Sequence, residues 1–576
     1  MRNRTKRKRK HEIVYYQLLI VVVGIIIYFN GLHGGFIFDD ESIILKNPHI
    51  EKIWPLSAAL SAPPDSPVRD RPVVNLTLSL NYLLGDRSPF GYHLANLTIH
   101  LITALLLFGV VRRTFLTPQL SLRYGAAASG LALAAALIWE VHPLQTESVT
   151  YITQRCESLM GLFYLGMLYA IIRGSLSRRP VPWYLLSVFL CGLGMGSKAV
   201  MVTAPLAALI YDRIFLTRSW RELWNKRCWL YLSLAATWII QIILLITTSY
   251  QDIKTHLPLE YALTQFGVIT HYIRLIFIPS PLCLDYHWPA AQNLAEILPG
   301  ALLVGVILAL TVWGLVKNPP LGFAGVWFFL ILGPTSSILP LEDLAFEHRL
   351  YLPLASMAVL GVVAGYELSR ILFPLSSTRR KNLGIVLTVV IVAGMGVLTI
   401  RRNVDYRTAV GMWRDVIGKR PTNPRAYNNL GNLVNKRGDQ REAFKLYQAA
   451  IEVDPGYQPG YYNLANLLAG DGKLDKSVAY YRRSLDINPD AIETHNNLAV
   501  VLFQLGKGEE SIKHLREAVR IDPSDPAAYY NLGVALIKEE RAPEAIPFLE
   551  KAVELRPDYS PSKKALNMAL LQKENI

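Results

Sequence analysis

The sequence predicts an all-α protein in two parts, a polytopic transmembrane helix bundle followed by a solenoid of short helical repeats. Two observations carry this prediction. Apolar runs long enough to cross a bilayer recur between residues 13 and 400. Beyond them the chain becomes polar and repeats with a period of 34 residues. We therefore assign residues 1–402 to the bundle and residues 403–576 to the repeats.

Eleven apolar segments form the predicted spans, in keeping with a chain that is 52% hydrophobic and 18% charged. They are residues 13–29, 93–111, 124–141, 152–172, 182–196, 199–213, 229–248, 295–315, 321–339, 350–372 and 382–400. Residues 261–279 are also apolar but contain Gln265, His271 and Arg274. We interpret that stretch as a re-entrant or interfacial helix on the outer side.

The net charge of +15 follows the predicted membrane topology. The first ten residues are mostly basic, and further Arg and Lys clusters lie in every second loop between spans. This distribution matches the positive-inside rule better than a nucleic-acid-binding face, so no nucleic-acid partner is expected. It predicts a cytoplasmic N-terminus, an uncleaved first span and, with an odd number of spans, extracytoplasmic repeats.

The 34-residue period appears at four kinds of position. Leucines are each followed by a small residue, a second small residue comes twelve positions later, and prolines close each unit. The prolines are Pro421, Pro455, Pro489, Pro523 and Pro557, and the leucines are Leu430, Leu464, Leu498 and Leu532. This is the tetratricopeptide pattern of two antiparallel helices. It predicts a half repeat over 405–420, four full repeats and a capping helix over 560–576.

Carboxylates follow the first span closely. Asp39 and Asp40 lie about nine residues after it, where an unused charge near the membrane is costly. One interpretation is a general base with an orienting partner. The alternative is a solvated loop that caps a helix.

Further ionisable residues are predicted on the same outer face. Glu147, Tyr151 and Arg155 are spaced i, i+4 and i+8, which predicts one shared helical face. The others are His100, His142, Lys198, Glu347, His348 and Arg349. Each alone is typical of a helix cap or an interfacial anchor. Together they predict a polar cavity that opens to the outer leaflet.

These residues carry a resemblance to a known family. The matching stretches are Gly35-Phe36-Ile37-Phe38-Asp39-Asp40, His142-Pro143 with Glu147-Ser148-Val149, Ser197-Lys198 and Glu347-His348-Arg349-Leu350-Tyr351-Leu352-Pro353. The sequence resembles the transmembrane-and-tetratricopeptide-repeat protein O-mannosyltransferases and their bacterial relatives, which have the GT-C fold. Members of that family often carry an acidic residue directly after the lysine that corresponds to Lys198, where this chain has Ala199.

The resemblance implies a sugar donor on polyprenyl phosphate, an active site on the outer face and an acidic base in the first outer loop, here Asp39 or Asp40. Cations are needed at the phosphate leaving group, and the candidates are Arg155, Lys198, His348 and Arg349. The supporting polar face comprises Glu147, Tyr151, Glu347, His100 and His142. No cofactor is expected to be required, and the sequence shows no clear set of metal ligands.

The repeats add a set of asparagines at one position of the first helix, namely Asn429, Asn463, Asn497 and Asn531. A carboxamide both donates and accepts, so a ladder of them can hold a peptide backbone of an acceptor protein without reading its side chains. The alternative interpretation is that this asparagine tightens packing within each repeat.

The expected function is therefore an inverting transferase that moves a sugar, mannose by resemblance, to Ser or Thr hydroxyls of extracytoplasmic proteins. Two alternatives remain open: the same donor with a glycan or lipid acceptor, and a non-enzymatic repeat scaffold for envelope assembly. A bacterial inner membrane is favoured over an endoplasmic reticulum because the loops are short.

Overall fold

The computed structural model describes residues 2–63, 66–247, 257–372 and 376–574, and all secondary structure within them is helical. The chain forms two compact units, Met1–Met412 and Trp413–Ile576. The predicted boundary after residue 402 lies just before the end of the first unit.

The first unit contains the apolar helices. Within the described residues, eight are long and apolar enough to cross a membrane: His11–Gly31, Pro89–Phe115, Ile152–Ser175, Ala199–Leu216, Trp220–Thr247, Leu294–Lys317, Pro353–Leu372 and Thr378–Asp405. A bent pair, Pro118–Tyr124 with Ala128–Glu140, and two shorter helices, Val181–Met195 and Pro319–Thr335, complete the set. All eleven predicted segments are thus helical, although length and composition alone do not decide how many of them span.

Residues 261–279, the segment predicted not to span, fall mostly within the helix Pro258–Phe277. This helix is not among the described helices that are long and apolar enough to cross a membrane. One side of it is buried, and its Gln265 donates to the backbone oxygen of Leu344 at 3.2 Å. The amide is thus satisfied within the protein, and the interfacial or re-entrant placement of this helix stays a prediction.

Small residues let the apolar helices approach closely, as is usual where lipid supplies no hydrophobic driving force between helices. Gly314 and Gly322 face each other across the pair Leu294–Lys317 and Pro319–Leu332. A Cβ on Gly314 would lie 3.0 Å from the Gly322 Cα. Only glycine fits at this crossing.

The second unit is a row of paired helices with the predicted period. Repeats 1 to 4 are Pro424–Lys436 with Gln440–Val453, Gln458–Gly470 with Leu474–Ile487, Ile492–Gln504 with Gly508–Ile521, and Pro526–Lys538 with Ala542–Leu555. The helix Ala409–Lys419 precedes them and the helix Ser560–Glu574 follows them, within the ranges given for the half repeat and the capping helix.

The small positions lie where the two helices of a repeat cross. A Cβ on Gly431 would come within 2.6 Å of the Tyr447 ring, and one on Gly533 would overlap Leu549. Small residues at these positions therefore permit the two helices of a repeat to cross closely.

Candidate active site

The loop that follows the first apolar helix turns sharply at Phe38, whose φ of 45° lies in the left-handed region. The turn directs Asp40, two residues later, into the protein, where it is fully buried. One carboxylate oxygen accepts hydrogen bonds from the backbone N–H (2.8 Å) and hydroxyl (2.7 Å) of Thr153. The other accepts from the N–H of Ile37 at 3.1 Å. Asp40 therefore ties the loop to residue 153.

Asp39 points elsewhere and remains partly exposed. Its Oδ2 accepts a hydrogen bond from the Tyr151 hydroxyl at 2.8 Å, and its backbone N–H donates to the same hydroxyl oxygen at 3.2 Å. Tyr151 is itself buried. The carboxylate of Asp39 is thus held in one orientation while it keeps access to a ligand.

The environment of Asp40 changes its acidity. Burial raises its pKa to about 7, against the opposing effect of the hydrogen bonds from Thr153 and Ile37, and the nearby Asp39 charge also raises it. Asp40 therefore changes charge close to neutral pH.

The predicted shared face of Glu147, Tyr151 and Arg155 is wrong. The helix Thr146–Thr150 ends before Tyr151, whose backbone is extended, with φ −87° and ψ 114°. A single 3₁₀ turn, Ile152–Gln154, follows, and a new helix begins at Arg155. The break redirects successive side chains, so the three residues face different surroundings.

Lys198 forms an ion pair with Glu157, and both side chains are largely buried. The lysine begins the 3₁₀ turn Ala199–Thr203, and the glutamate lies in the first turn of Arg155–Ser175. Although Ala199 departs from the family pattern, a carboxylate from another helix thus supplies the partner of this lysine.

Next to this pair, His348 bonds to Glu147. The imidazole Nδ1 lies 2.7 Å from one carboxylate oxygen, and the His348 backbone N–H donates to the other at 2.9 Å. The Nε2 atom is 3.9 Å from Glu157. Burial raises the pKa of Glu147 to about 8 and holds the pKa of His348 well below its usual value. Burial therefore disfavours the charged form of each of the two groups.

Glu347 belongs to a neighbouring polar cluster. It accepts hydrogen bonds from the Tyr286 hydroxyl at 2.6 Å and the Cys283 N–H at 2.5 Å, and it lies 3.9 Å from Arg402. Burial raises the pKa of Glu347 to about 7, while the Arg402 charge lowers it. This cluster joins the 281–287 loop to the end of the last apolar helix.

Two of the predicted phosphate ligands are buried cations that bind neutral oxygens. Arg155 donates to Asn96 at 2.7 Å, to Asn81 at 2.6 Å and to the backbone oxygen of Tyr92 at 3.0 Å. Arg349 donates to the carbonyl oxygens of residues 335, 343 and 344 at 2.6–3.0 Å. These contacts hold helix ends and loops together.

His100 and His142 also serve neighbouring helices. His100 lies 3.0 Å from both the Tyr351 hydroxyl and the backbone oxygen of Glu140. His142 accepts the N–H of Leu144 and contacts the Ile276 backbone oxygen at 3.0 Å. Their geometry is that of helix-end and inter-helix contacts.

Four charged residues contact the segment 151–157. Asp39 contacts Tyr151, Asp40 contacts Thr153, and Lys198 contacts Glu157. Arg71 donates to the Cys156 Sγ at 3.3 Å. Carboxylates therefore contact the start of this segment, and cations from two other parts of the chain contact its end.

The sequence did not point to Glu157 or Tyr286 as site residues, and it did not predict that Arg402 is buried beside Glu347. The signal for Glu157 was present, because a carboxylate at the start of an apolar helix requires a partner. Within the described ranges, no group of three or more His, Cys, Asp or Glu side chains is arranged to hold a metal ion.

In the repeats, the four asparagines are half-buried. Asn463 donates to Asn428 of the preceding repeat at 2.8 Å, and Asn497 donates to Asn466 and to the Tyr462 hydroxyl, both at 2.9 Å. These amides link successive repeats, which supports the packing interpretation at two of the four positions. Peptide binding by the ladder remains a prediction.

Comparison with known proteins agrees with both parts of this architecture. The family described as dolichyl-phosphate-mannose-protein mannosyltransferase matches residues 65–247, and tetratricopeptide families match stretches between residues 401 and 559. A protein O-mannosyl-transferase of Caenorhabditis elegans is 26% identical over 75% of the chain. The chain is a relative of the protein O-mannosyl-transferases. The resemblance read from its motifs is confirmed.

These O-mannosyl-transferase relatives are longer than the chain. The match covers 62% of the C. elegans protein. Protein O-mannosyl-transferase TMTC3 of Mus musculus is 24% identical over 72% of the chain and 48% of its own length. Among solved structures, the tetratricopeptide protein YrrB matches 29% of the chain and 86% of its own, with 20% identity and a TM-score of 0.27.

Proposed function

We propose that the chain is a membrane glycosyltransferase that moves a sugar, mannose by likeness to its relatives, from polyprenyl phosphate to Ser or Thr hydroxyls of extracytoplasmic proteins. The observation that carries the proposal is the segment 151–157, which holds the accessible carboxylate of Asp39 close in sequence to the groups that contact Arg71 and Lys198. A transferase with a phosphate leaving group needs a base and cations in this combination.

Asp39 is the proposed base. It is the partly exposed member of the acidic pair, and Tyr151 fixes its orientation. The acceptor hydroxyl loses its proton to Asp39 while its oxygen attacks the anomeric carbon. The bond from that carbon to the phosphate oxygen breaks, and polyprenyl phosphate leaves with the electron pair. A single displacement of this kind inverts the anomeric centre.

Asp40 is proposed as a positioning residue. All three of its hydrogen bonds go to protein donors, and the residue is fully buried. It has no surface on which an acceptor hydroxyl could lie. Its role is to keep the 37–40 turn against Thr153 so that Asp39 meets Tyr151.

Lys198 and Arg71 are the proposed contacts for the phosphate. Lys198 keeps 11% of its side-chain surface exposed and Arg71 keeps 24%, whereas Arg155 and Arg349 are buried. Glu157 orients the lysine and tempers its charge, so the ammonium can bind phosphate while the donor is present and release the product afterwards. His348 completes this end of the site through Glu147 and Glu157.

The test is reconstitution of the full chain in nanodiscs with mannosyl polyprenyl phosphate and a Ser/Thr-rich peptide. Mass spectrometry should detect the glycopeptide with the wild-type chain and not with Asp39→Asn. Sugar found only on a lipid or glycan fraction would support the alternative acceptor. Intact donor with every acceptor would overturn the enzymatic proposal and favour a scaffold.

We further propose that the repeats lie outside the cytoplasm, on the same side as residues 30–92. Positive-inside counting requires this if the helix Pro258–Phe277 does not span. A reporter that is active only outside the cytoplasm, fused after residue 576, should be active. A reporter active only in the cytoplasm would show that residues 258–277 cross the membrane and that the later loops are inverted.

A further inference from the structure

One face of the repeats changes from polar to apolar along the chain. Two positions of each first helix, one repeat apart, define a strip. The first position is occupied by Asn432, Asn466, Val500 and Val534, and the second by Asn435, Ala469, Phe503 and Ile537. At the first position, repeats 1 and 2 therefore have carboxamides where repeats 3 and 4 have valine. At the second position, Asn435 and Ala469 give way to Phe503 and to Ile537, which is buried.

The change is supported from the second helix of each repeat. Tyr447 donates its hydroxyl to Asn432 at 2.8 Å, and Tyr481 donates to Asn466 at 2.5 Å. The equivalent residues of repeats 3 and 4 are Leu515 and Leu549, both buried. Asn432 and Asn466 thus each accept from a tyrosine of the second helix, and leucine takes the place of that tyrosine in the repeats that carry Val500 and Val534. A matched change at both positions shows that the difference between the two halves is built into the packing.

A cavity of about 270 Å³ opens where the two halves meet. Its lining is uncharged and comes from both halves, with Asn466, Ala469 and Tyr481 of repeat 2 and Asn497, Val500, Val501 and Gln504 of repeat 3. Amide, hydroxyl and apolar groups are therefore combined in one cavity. Val500 is 48% exposed, although it belongs to a residue type that is usually buried. The cavity is below the usual size for a small-molecule site, so it suits one or two side chains of a longer ligand.

The carboxamides also have a defined polarity. The Asn466 oxygen accepts hydrogen bonds from both Tyr481 and Asn497. The Asn432 oxygen accepts from Tyr447. With their oxygens engaged, the NH₂ groups of these asparagines are the atoms placed to meet a ligand, and an NH₂ group donates to a carbonyl oxygen.

We propose that this strip binds an extended, uncharged peptide segment in a fixed register. Backbone carbonyls of a polar stretch accept from Asn432 and Asn466, and an aliphatic side chain of an adjoining stretch packs on Val500, Val534 and Phe503. This inference rests on the proposed function only in that such a segment would belong to the acceptor protein. The acceptor class is then a Ser/Thr-rich segment flanked by aliphatic residues.

Charge on this segment is disfavoured by the lining. A carboxylate or phosphate placed in the cavity would lose water, and the residues that line the cavity offer no cation in return. The Lys538 ammonium lies 4.8 Å from the centre of the Phe503 ring, outside this lining. A peptide supplies carbonyls and aliphatic side chains at regular spacing along one extended chain, which matches a strip that repeats along the solenoid.

Binding is measured by fluorescence anisotropy on the full chain in nanodiscs, without donor. The probe is a labelled peptide of about twelve residues, half Ser/Thr and half Val/Leu, in both chain directions. Controls are an all-Ser/Thr peptide and a peptide with Glu in place of Val. One direction of the mixed peptide should bind at least about tenfold more tightly than either control. Equal binding of the three peptides, or tightest binding of the Glu peptide, would overturn the proposal.

Two variants locate the site. Val500→Asp should weaken binding of the mixed peptide by about tenfold or more. Met568→Asp, which changes an exposed apolar side chain of the capping helix, should leave that binding unchanged. The pair Val500→Asn with Leu515→Tyr copies repeat 2 into repeat 3 and should shift preference toward the all-Ser/Thr peptide. The same preference in wild type and in the paired variant would place binding elsewhere, even if Val500→Asp proved unstable.

These outcomes are independent of catalysis. Asp39→Asn should bind the mixed peptide as wild type does, because the strip is untouched. Peptide binding without transfer by the wild-type chain would remove the proposed enzyme and leave the peptide site. Transfer by the wild-type chain without a preference for the mixed peptide would support the proposed enzyme and remove the peptide site.

Discussion

The two units of this protein handle charge in opposite ways. The first unit contains buried ion pairs, such as Lys198–Glu157, whose partners are 41 residues apart, and Asp212–Arg227, whose side chains are 0% and 6% exposed. In the second, pairs such as Arg516–Glu544 and Arg482–Glu510 are exposed and join neighbouring repeats at a constant separation of 28 residues. Loss of one partner in a buried pair leaves an uncompensated charge, whereas an exposed pair is screened by water. Chemistry that depends on fixed charges is therefore expected in the first unit and ligand binding in the second.

The largest expected effect concerns the acidic pair. Asp39→Asn should lower transfer by a factor of about 10²–10⁴, the usual cost of losing a general base. Donor and peptide binding should persist, since the substitution changes neither the cations nor the repeats. Initial rates at saturating donor and peptide measure the effect.

Asp40→Asn is the matched control for that variant. Its amide would place a donor against the N–H groups of Ile37 or Thr153, so the unfolding free energy should fall by about 1–3 kcal/mol along with activity. If Asp39→Asn retains normal transfer while Asp40→Asn alone is inactive and fully stable, Asp40 is the base. Normal transfer by the double variant would contradict the whole mechanism.

The next largest effect should be a difference between the two units in the unfolding free energy lost when one ion pair is broken. Arg227→Ala leaves Asp212 buried with only the Tyr231 hydroxyl at 2.7 Å to satisfy it, and should destabilise the first unit by about 3–5 kcal/mol. Arg516→Ala breaks an exposed pair and should cost at most about 1 kcal/mol. Denaturant unfolding in a fixed detergent, with separate probes for each unit, compares the two. Equal losses would mean that the buried pair is relaxed by water.

The acidity of Asp40 predicts a pH profile. As the pH falls through about 7, the carboxyl takes up a proton that its three protein donors cannot accommodate, so the turn that positions Asp39 loosens and transfer should decline. Stability should not decline with it. Because the pKa in the folded state is raised above the usual value of about 3.9, folding takes up a proton between pH 4 and 7. This contribution to stability is complete below about pH 4 and is lost as the pH rises to 7.

Transfer rates and unfolding free energies between pH 5.5 and 8.5 test that prediction together. In the Asp40→Asn variant the low residual rate should no longer change through pH 7. A parallel fall of rate and stability below pH 7 in the wild-type chain would indicate acid unfolding instead.

The smallest effects are expected along the asparagine ladder. One hydrogen bond contributes about 0.5–1.5 kcal/mol, so Asn429→Ala or Asn531→Ala should weaken a long acceptor peptide only modestly. Replacement of all four asparagines should weaken it severely while transfer to a short peptide survives. Because Asn463 and Asn497 link repeats, circular dichroism must first show that the quadruple variant is folded. Equal loss on long and short peptides would remove the ladder from acceptor binding.

The sequence by itself determined whatever depends on local pattern. Apolar runs of sufficient length marked all eleven helical segments, and the 34-residue period placed every repeat helix, since each of these features recurs within a few tens of residues. The acidic turn after the first apolar helix was also evident, because charge near a membrane is conspicuous.

Tertiary structure alone decided which charges meet and which are accessible. Lys198 and Glu157 are 41 residues apart, and Glu147 and His348 are 201 apart, so no local spacing links them. Helical periodicity even misplaced Arg155, because the extended residue Tyr151 interrupts the helix and turns that arginine toward Asn96 and Asn81. The proposed choice of Asp39 over Asp40 likewise rests on one turn at Phe38, which buries the second carboxylate and leaves the first partly exposed. Burial and long-range pairing are properties of the packed helices, and a linear pattern does not contain them.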